Sequence, residues 1–493
     1  MPHILHTLIT RRSRRLGAGV AALLLAGCAS MAPEYERPQA PLPAQFNVEQ
    51  AAATPVAELA WRDYFTAPEL QDLIDQALER NRDLRAALLR VQEARAAWGI
   101  ARADRVPTVG ASMQSERGRV PGDLNFTGQP LVSSQHQLGV GLSSWELDFW
   151  GRVRSLDDAA VQRYLATQEA QRAATLVLVA QVADGYLGLR EIDQRVRLAE
   201  QALATRAESR RVFQRRLQVG SASELELVQA DLLWQQAQAL LSQLALQRST
   251  QLHALGVLVG DPGLSLPPSE QPLAALAGLP PLAPGLPSQL LENRPDIRAA
   301  EHALQAANAQ IGAARAMFFP RIALATFAGT ASAELDGLFA SGSRAWSFVP
   351  SVSLPIFDGG RRQANLELSE VRRDQALNSY QQAIEAAFRD VADALAARQR
   401  LDEQLQTLRG IETTLARRTQ LAKRRFDAGA ARYFEVLDAE RDLLNAQQDV
   451  VRAEHALLSA QLSLYTALGG GSGALEPMTP QAATDQPQTP QVR

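Results

Sequence analysis

Long stretches of this chain repeat apolar residues at spacings of three and four, and shorter stretches between them alternate apolar with small polar residues. The first pattern is that of an amphipathic helix, the second that of a strand with two unlike faces. Between Arg152 and about Gln218 there is no proline, and Gly185 and Gly188 are the only glycines. Leu176, Val179, Ala180, Ala183, Tyr186 and Leu187 form its apolar stripe among Arg, Gln and Glu. At 1.5 Å per residue such a helix is roughly 100 Å long. Arg361 to about Asp427 is its counterpart, broken only by Gly410, and shorter helices are expected over Ala222–Leu258 and Tyr433–Leu468. An earlier helix is predicted to start at Thr66-Ala67-Pro68-Glu69, which has the spacing of a capping box with proline in the first turn. It carries Leu70, Leu73, Ile74, Ala77 and Leu78 on one face and stops near Val106-Pro107.

Four strands are expected. One has Val109, Ala111 and Met113 against Gly110, Ser112 and Gln114; the next has Leu138, Val140 and Leu142 against Gly139, Gly141 and Ser143. A third, over Ile322–Thr330, is the faintest. The fourth sets Trp346, Phe348, Val352, Leu354 and Ile356 against Ala345, Ser347, Ser351 and Ser353, with Pro350 and Pro355 arguing against a central ladder position.

These elements come in two copies. Asp83-Leu84-Arg85-Ala86-Ala87 returns as Asp296-Ile297-Arg298-Ala299-Ala300, and Pro107 as Pro320. Gly151-Arg152, Val182-Ala183-Asp184, Arg215-Arg216, Gly220 and Gly260 return 209 residues later. Matches that keep one register over such distances mark an internal duplication. The resulting division is 1–27 export signal, 28–60 extended segment, 61–260 first repeat, 261–287 Pro- and Leu-rich linker, 288–469 second repeat and 470–493 disordered tail.

The strands carry the first functional inference. Alternation of apolar with Gly and Ser over about ten residues suits a membrane barrel with a wet interior. One chain supplies only four strands, and about eight are needed to close the smallest barrel. Open edges are not tolerated in lipid, so several chains must share one barrel. Helices of such length with a narrow apolar stripe likewise bury it only against neighbours, as in a ring of helices. A soluble sheet attached to a coiled coil, without a pore, is the competing reading.

Composition narrows the choice. The 493 residues are 46% hydrophobic and 5% aromatic, with a formal charge of −3. The first 27 residues contain Arg11, Arg12, Arg14 and Arg15 and no acid; without them the chain has 46 basic against 53 acidic residues. Nothing in that balance suggests nucleic acid as a partner. The arginines precede a short apolar run ending in Leu25-Ala26-Gly27-Cys28, the layout of an export signal. Cys28 is the only cysteine, so intramolecular disulfides and Cys-rich metal sites are excluded. Leu-Ala-Gly-Cys resembles a bacterial lipobox, in which Cys28 takes a covalent lipid and becomes the first mature residue; Ala29 after it favours the outer membrane. His136, His253, His302 and His455 have no metal-ligating spacing, and no P-loop, nucleophile elbow or cofactor fingerprint is present, so no enzyme is expected.

Several motifs together resemble one family. Pro33-Glu34-Tyr35-Glu36-Arg37-Pro38, Trp61-Arg62-Asp63-Tyr64-Phe65, Asn81-Arg82-Asp83-Leu84, Asn293-Arg294-Pro295-Asp296-Ile297, Leu354 to Arg361 and Glu435-Val436-Leu437-Asp438-Ala439 are similar to the TolC-like outer-membrane factors, in the lipidated OprM/NodT branch. The resemblance covers Cys28 to about Gly469. It implies a mainly α protein with a membrane β-barrel, a homotrimer closing a twelve-stranded barrel that continues into a periplasmic α-barrel. It implies docking to a periplasmic adaptor and an inner-membrane pump of the resistance-nodulation-division type, anchorage in outer-membrane lipid, and efflux of drugs or other small solutes. An exit duct for protein or polysaccharide is the near alternative, and a lipid-anchored structural coiled coil or a periplasmic adaptor the more distant ones.

The same resemblance nominates sites. Two helical hairpins turn at Val219-Gly220-Ser221 and Ala428-Gly429-Ala430; Gly220, Ser221, Gly429 and Ala430 are expected to face the adaptor. Each glycine also suits a helix end that needs positive φ. Arg211, Arg215, Arg216, Lys423, Arg424 and Arg425 precede the turns and complement helix C-termini. Phe434 and Asp438, one turn apart, occupy constriction positions at the periplasmic end, with Glu435 beside them; three copies would make an apolar ring and a carboxylate ring. Glu226 matches a position that ties neighbouring helices, but Ser223-Glu224-Leu225-Glu226 is also a capping box, its preferred role here. The family's tip arginine is not matched: Ala431 stands there, with Arg432 adjacent.

Overall fold

A computed structural model describes residues 30–39, 56, 59–273, 279–280, 282 and 290–472. The export signal, Cys28, most of the linker beyond 273 and the tail from 473 lie outside the described residues.

In chain order the elements are α1 (Trp61–Tyr64), α2 (Pro68–Arg80), α3 (Arg82–Ala103), β1 (Val109–Val120), β2 (Leu131–Glu146), α4 (Arg152–Gln218), α5 (Glu224–Val259), α6 (Leu290–Asn293), α7 (Pro295–Ala316), β3 (Arg321–Ser332), β4 (Arg344–Ser353), α8 (Arg361–Asp427) and α9 (Tyr433–Ala467). The long helices begin and end where the pattern of glycine and proline puts them. No helix among the described residues is long and apolar enough to cross a membrane. The chain forms two compact units. One comprises Met1–Gln39, Val91–Thr167 and Ala300–Tyr380; the other comprises Ala40–Arg90, Gln168–Ala299 and Gln381–Arg493. Both sequence repeats contribute to each.

The first unit contains a four-stranded antiparallel sheet in the order β1-β2-β3-β4. Its central pairing, β2 with β3, joins the two repeats in a register from His136 opposite Ser332 to Glu146 opposite Ala323, with a bulge between Leu142 and Trp145. β3 gave the faintest pattern because it is built from Ala, Thr and Gly between two neighbours. Pro350 falls on β4, an edge strand, where one missing donor is tolerated; Pro355 lies beyond its end. One sheet face carries Val109, Met113, Val140, Trp346, Phe348 and Val352, all exposed. The opposite face carries Gly, Ser and Gln, but not merely to leave room: a Cβ on Gly139 would come within 2.7 Å of the Phe327 ring and 2.6 Å of the Ala328 carbonyl.

At the base of the sheet Glu146 accepts both Arg152 (2.8 Å) and Arg321 (2.7 Å), and Trp150 stacks on Phe319. The segment 30–39 lies on α7. Arg37 forks onto Glu301 (2.8 and 2.5 Å), Tyr35 donates to the same carboxylate, and Asn308 donates to the Pro33 carbonyl.

The second unit contains the helical hairpins and a core in which Tyr64 stacks on Tyr465 at 4.3 Å with Phe65 edge-on. The expected capping box at Thr66 is not formed: Ala67 is the N-cap of α2 and makes no side-chain cap bond. Glu69 is instead engaged by Arg190 (2.6 Å) and Tyr186 (2.8 Å). The single helix expected up to Val106 is broken at Asn81. Its Oδ1 accepts the Leu84 amide and its Nδ2 donates to Leu258 O, so one residue ends α2 and caps α3. Arg190 is buried with Asp193, which also accepts Arg248. Arg190, Arg248 and Arg197 donate to the carbonyls of Pro267, Leu266 and Ser269, pinning the chain after α5 to the helices.

Candidate functional site

Within the second unit the hairpin turns carry most of the nominated residues. α4 ends at Gln218 and α8 at Asp427, and the chain turns two residues on at Gly220 and Gly429, both at φ +72°. The closing bonds match: Ser221 N to Arg216 O and Ala430 N to Arg425 O, each 2.8 Å, satisfy carbonyls that a helix end leaves free. Gly220, Ser221, Gly429 and Ala430 are all exposed, as a contact surface requires.

Glu226 closes the capping box at the start of α5. Its Oε2 accepts the Ser223 amide at 2.8 Å, while Ser223 Oγ accepts the Glu226 amide. Bonding to the Ser223 amide and hydroxyl holds the Glu226 carboxyl below its ordinary value. Just behind the turns, Tyr433 joins the two hairpins. Its ring packs on Phe213 (4.7 Å) and Phe426 (4.8 Å), and its hydroxyl is 2.5 Å from Ser209 Oγ.

The gate candidates sit on the first turns of α9. Phe434 is 54% exposed and has no aromatic partner among the described residues, and Glu435 pairs with Arg425 at 3.0 Å. Asp438, four residues on, is not a free carboxylate. Arg418 of α8 donates one nitrogen to Asp438 (2.7 Å) and the other to Asp442 (2.6 Å), and Arg441 donates to both acids. Slight burial pushes the Asp442 carboxyl up, but the bonds and charges of Arg418 and Arg441 outweigh it and hold it below its ordinary value. Lys423 pairs with Glu440 at 2.7 Å one turn away. The structure therefore adds Arg418, Arg441, Asp442 and Tyr433 to the site. Arg441 was legible as an i+3 neighbour of Asp438. Arg418 is 20 residues away across a turn, and no local spacing announces it. Among the described residues no cluster of His, Cys, Asp or Glu is arranged to hold a metal ion.

A model of the outer membrane efflux protein family matches residues 73–261 and 286–470. The chain is 42% identical over 467 residues to the outer membrane protein OprJ of Pseudomonas aeruginosa, covering 93% of this chain and 97% of OprJ. It is 41% identical to the toluene efflux pump outer membrane protein TtgI of Pseudomonas putida, covering 92% and 97%. It also superposes on the open state of the MtrE outer membrane channel of Neisseria gonorrhoeae with a TM-score of 0.82, at 37% identity, covering 90% of this chain and 98% of that one. The chain belongs to the outer membrane efflux protein family.

Proposed function

We propose that three copies of this chain form the outer-membrane exit duct of a tripartite efflux system, passing drugs or other small solutes delivered by a periplasmic adaptor and a resistance-nodulation-division pump. One observation carries the reading: a four-stranded sheet with an exposed apolar face, a polar opposite face and two open edges, β1 and β4. Such a sheet satisfies its backbone in lipid only by sharing a closed barrel with other copies, and three copies give twelve strands. In this reading Phe434 and Asp438 line the periplasmic constriction, and the exposed turns at Gly220-Ser221 and Gly429-Ala430 receive the adaptor. Cys28 bears the lipid that holds the assembled protein at the outer membrane. The family relation supports an efflux channel rather than a catalyst.

The full-length protein purified in detergent is expected to have the mass of a trimer and to give unitary conductance steps in planar bilayers. Deleting its gene is expected to sensitise the host to toxic solutes, with complementation restoring resistance. A monomer that adds no conductance would refute the duct.

A further inference from the structure

The apolar face of the sheet is interrupted at one end. The registers Val109–Leu142, Val140–Ala328 and Ala328–Trp346 put odd residues of β1 and even residues of β2, β3 and β4 on one face. On that face, toward the β1–β2 and β3–β4 loops, stand Arg117, Arg119 and Arg344, all exposed. Among the described residues none of the three guanidinium groups has an ion-pair or hydrogen-bond partner. At the other end of the same unit Arg105 is paired with Asp157, and Arg152 and Arg321 with Glu146.

Their height is informative. At about 3.4 Å per residue and a tilt of roughly 40°, Arg117 and Arg119 lie about 21 and 26 Å above the start of β1. Arg344 lies about 23 Å above the end of β4 on the same reckoning. The apolar band of an outer-membrane barrel is about 25 Å tall. All three guanidinium groups therefore reach the upper rim of that band, where acyl chains give way to headgroups. Arg117 and Arg119 are two residues apart on one face, about 7 Å between Cα atoms, close enough to grip one phosphate. Arginine is the residue whose planar fork matches a phosphate bidentately.

We propose that Arg117 and Arg119 on the β1 edge, with Arg344 on the β4 edge of the neighbouring copy across the seam, form a binding site for the phosphate groups of lipids in the outer leaflet. The inference rests on the sheet being a barrel wall. It adds a ligand class: an anionic, phosphate-bearing lipid headgroup held against the outside of the duct, away from the solute path.

The test uses the full-length trimer in detergent, with heat-induced dissociation followed as bisphosphorylated lipid A, dephosphorylated lipid A or inorganic phosphate is added. The phosphorylated lipid should raise the dissociation temperature, and the other two should not. The R117Q/R119Q/R344Q variant should lose that rise while keeping its conductance steps, and R117K/R119K/R344K should recover part of it. Equal stabilisation by both lipids, or an undiminished rise in the glutamine variant, overturns the site. A rise with inorganic phosphate alone identifies a free-anion site and also overturns the lipid assignment. The wild-type comparison of the two lipids remains decisive should the variant fail to assemble. Absence of conductance from the wild-type trimer would instead refute the barrel reading on which the site depends.

Discussion

Glu301 holds the N-terminal segment through one carboxylate. Burial raises its pKa, but the fork from Arg37, the charge of that arginine and the Tyr35 hydroxyl outweigh it, so the folded value lies below the ordinary 4.5. A depressed carboxylate contributes stability that is complete above about pH 4.5 and is lost as pH falls toward the folded value. Hydroxyl-radical labelling of Tyr35, whose hydroxyl the latch holds, is therefore expected to be low at neutral pH and to rise below pH 4.5. Glu301→Gln should be labelled strongly throughout; an unchanged pH profile in that variant would rule the latch out. Asp193 makes a harsher case. Its side chain is 1% exposed and neutralises Arg190, itself 2% exposed, together with Arg248. Asp193→Ala leaves buried Arg190 with Glu69 as its one acid and strips Arg248 of its acid partner, and should cost about 3 kcal/mol in thermal unfolding; a loss below about 1 kcal/mol would show that Glu69 and water compensate both. Neither cluster was visible in the sequence: Arg248 lies 55 residues from Asp193, and Glu301 lies 264 from Arg37. Pairings of that range depend on the fold, which composition and local spacing do not encode.

Elements were more legible than contacts, because helix and strand limits are set by neighbours in the chain. The glycines at 220 and 429 and the Ser223 cap fixed the hairpin ends, whereas the Thr66 cap failed because Glu69 was recruited elsewhere. The strand edge shows what such local chemistry does at a distance. Ala331 N donates to Ser343 O, so odd residues of β3 bond to β4, and Leu147 N donates to Ile322 O, so even ones bond to β2. It follows that the amides of Arg344, Trp346, Phe348 and Val352 face the open edge, where Pro350 has none to offer. In the trimer that edge meets β1 of the next copy, and each seam loses one bond at position 350. Edge prolines also restrain unwanted pairing of a lone chain. Pro350→Ala should restore the bond and raise the dissociation temperature by a few degrees, at a net gain of about 1 kcal/mol per seam. It should also increase aggregation during refolding. A dissociation temperature that stays put or falls would mean that the proline does not face the seam.

At the scale of the whole molecule, duplication supplies the architecture and divergence distinguishes the two hairpins. The repeat was readable because its matches hold one offset, but its consequence at the proposed gate emerges only when the two hairpins are compared. Counterparts of Arg418, Asp438 and Asp442, 209 residues earlier, are Ser209, Gln229 and Leu233. The second hairpin thus has one arginine forked onto two acids where the first has a single pair, Arg210 with Asp231 at 2.5 Å, and the fork ties α9 to α8 beside the exposed Phe434. These pairs are half-exposed and individually weak. A hold of that kind suits a constriction that an adaptor must release, since binding energy from docking can exceed it. Removing the shared cation leaves Asp438 and Asp442 facing each other with Arg441 alone between them. Three copies would then bring six carboxylates to one narrow ring, where like charges repel. Arg418→Ala should therefore raise single-channel conductance several-fold and admit large hydrophilic antibiotics in cells, without lowering the dissociation temperature of the trimer. Arg418→Lys should open it only in part, because one ammonium does not span both carboxylates as the fork does. An Arg418→Ala trimer with wild-type conductance would show that the constriction is held by the packing of Phe434 and its neighbours rather than by charge.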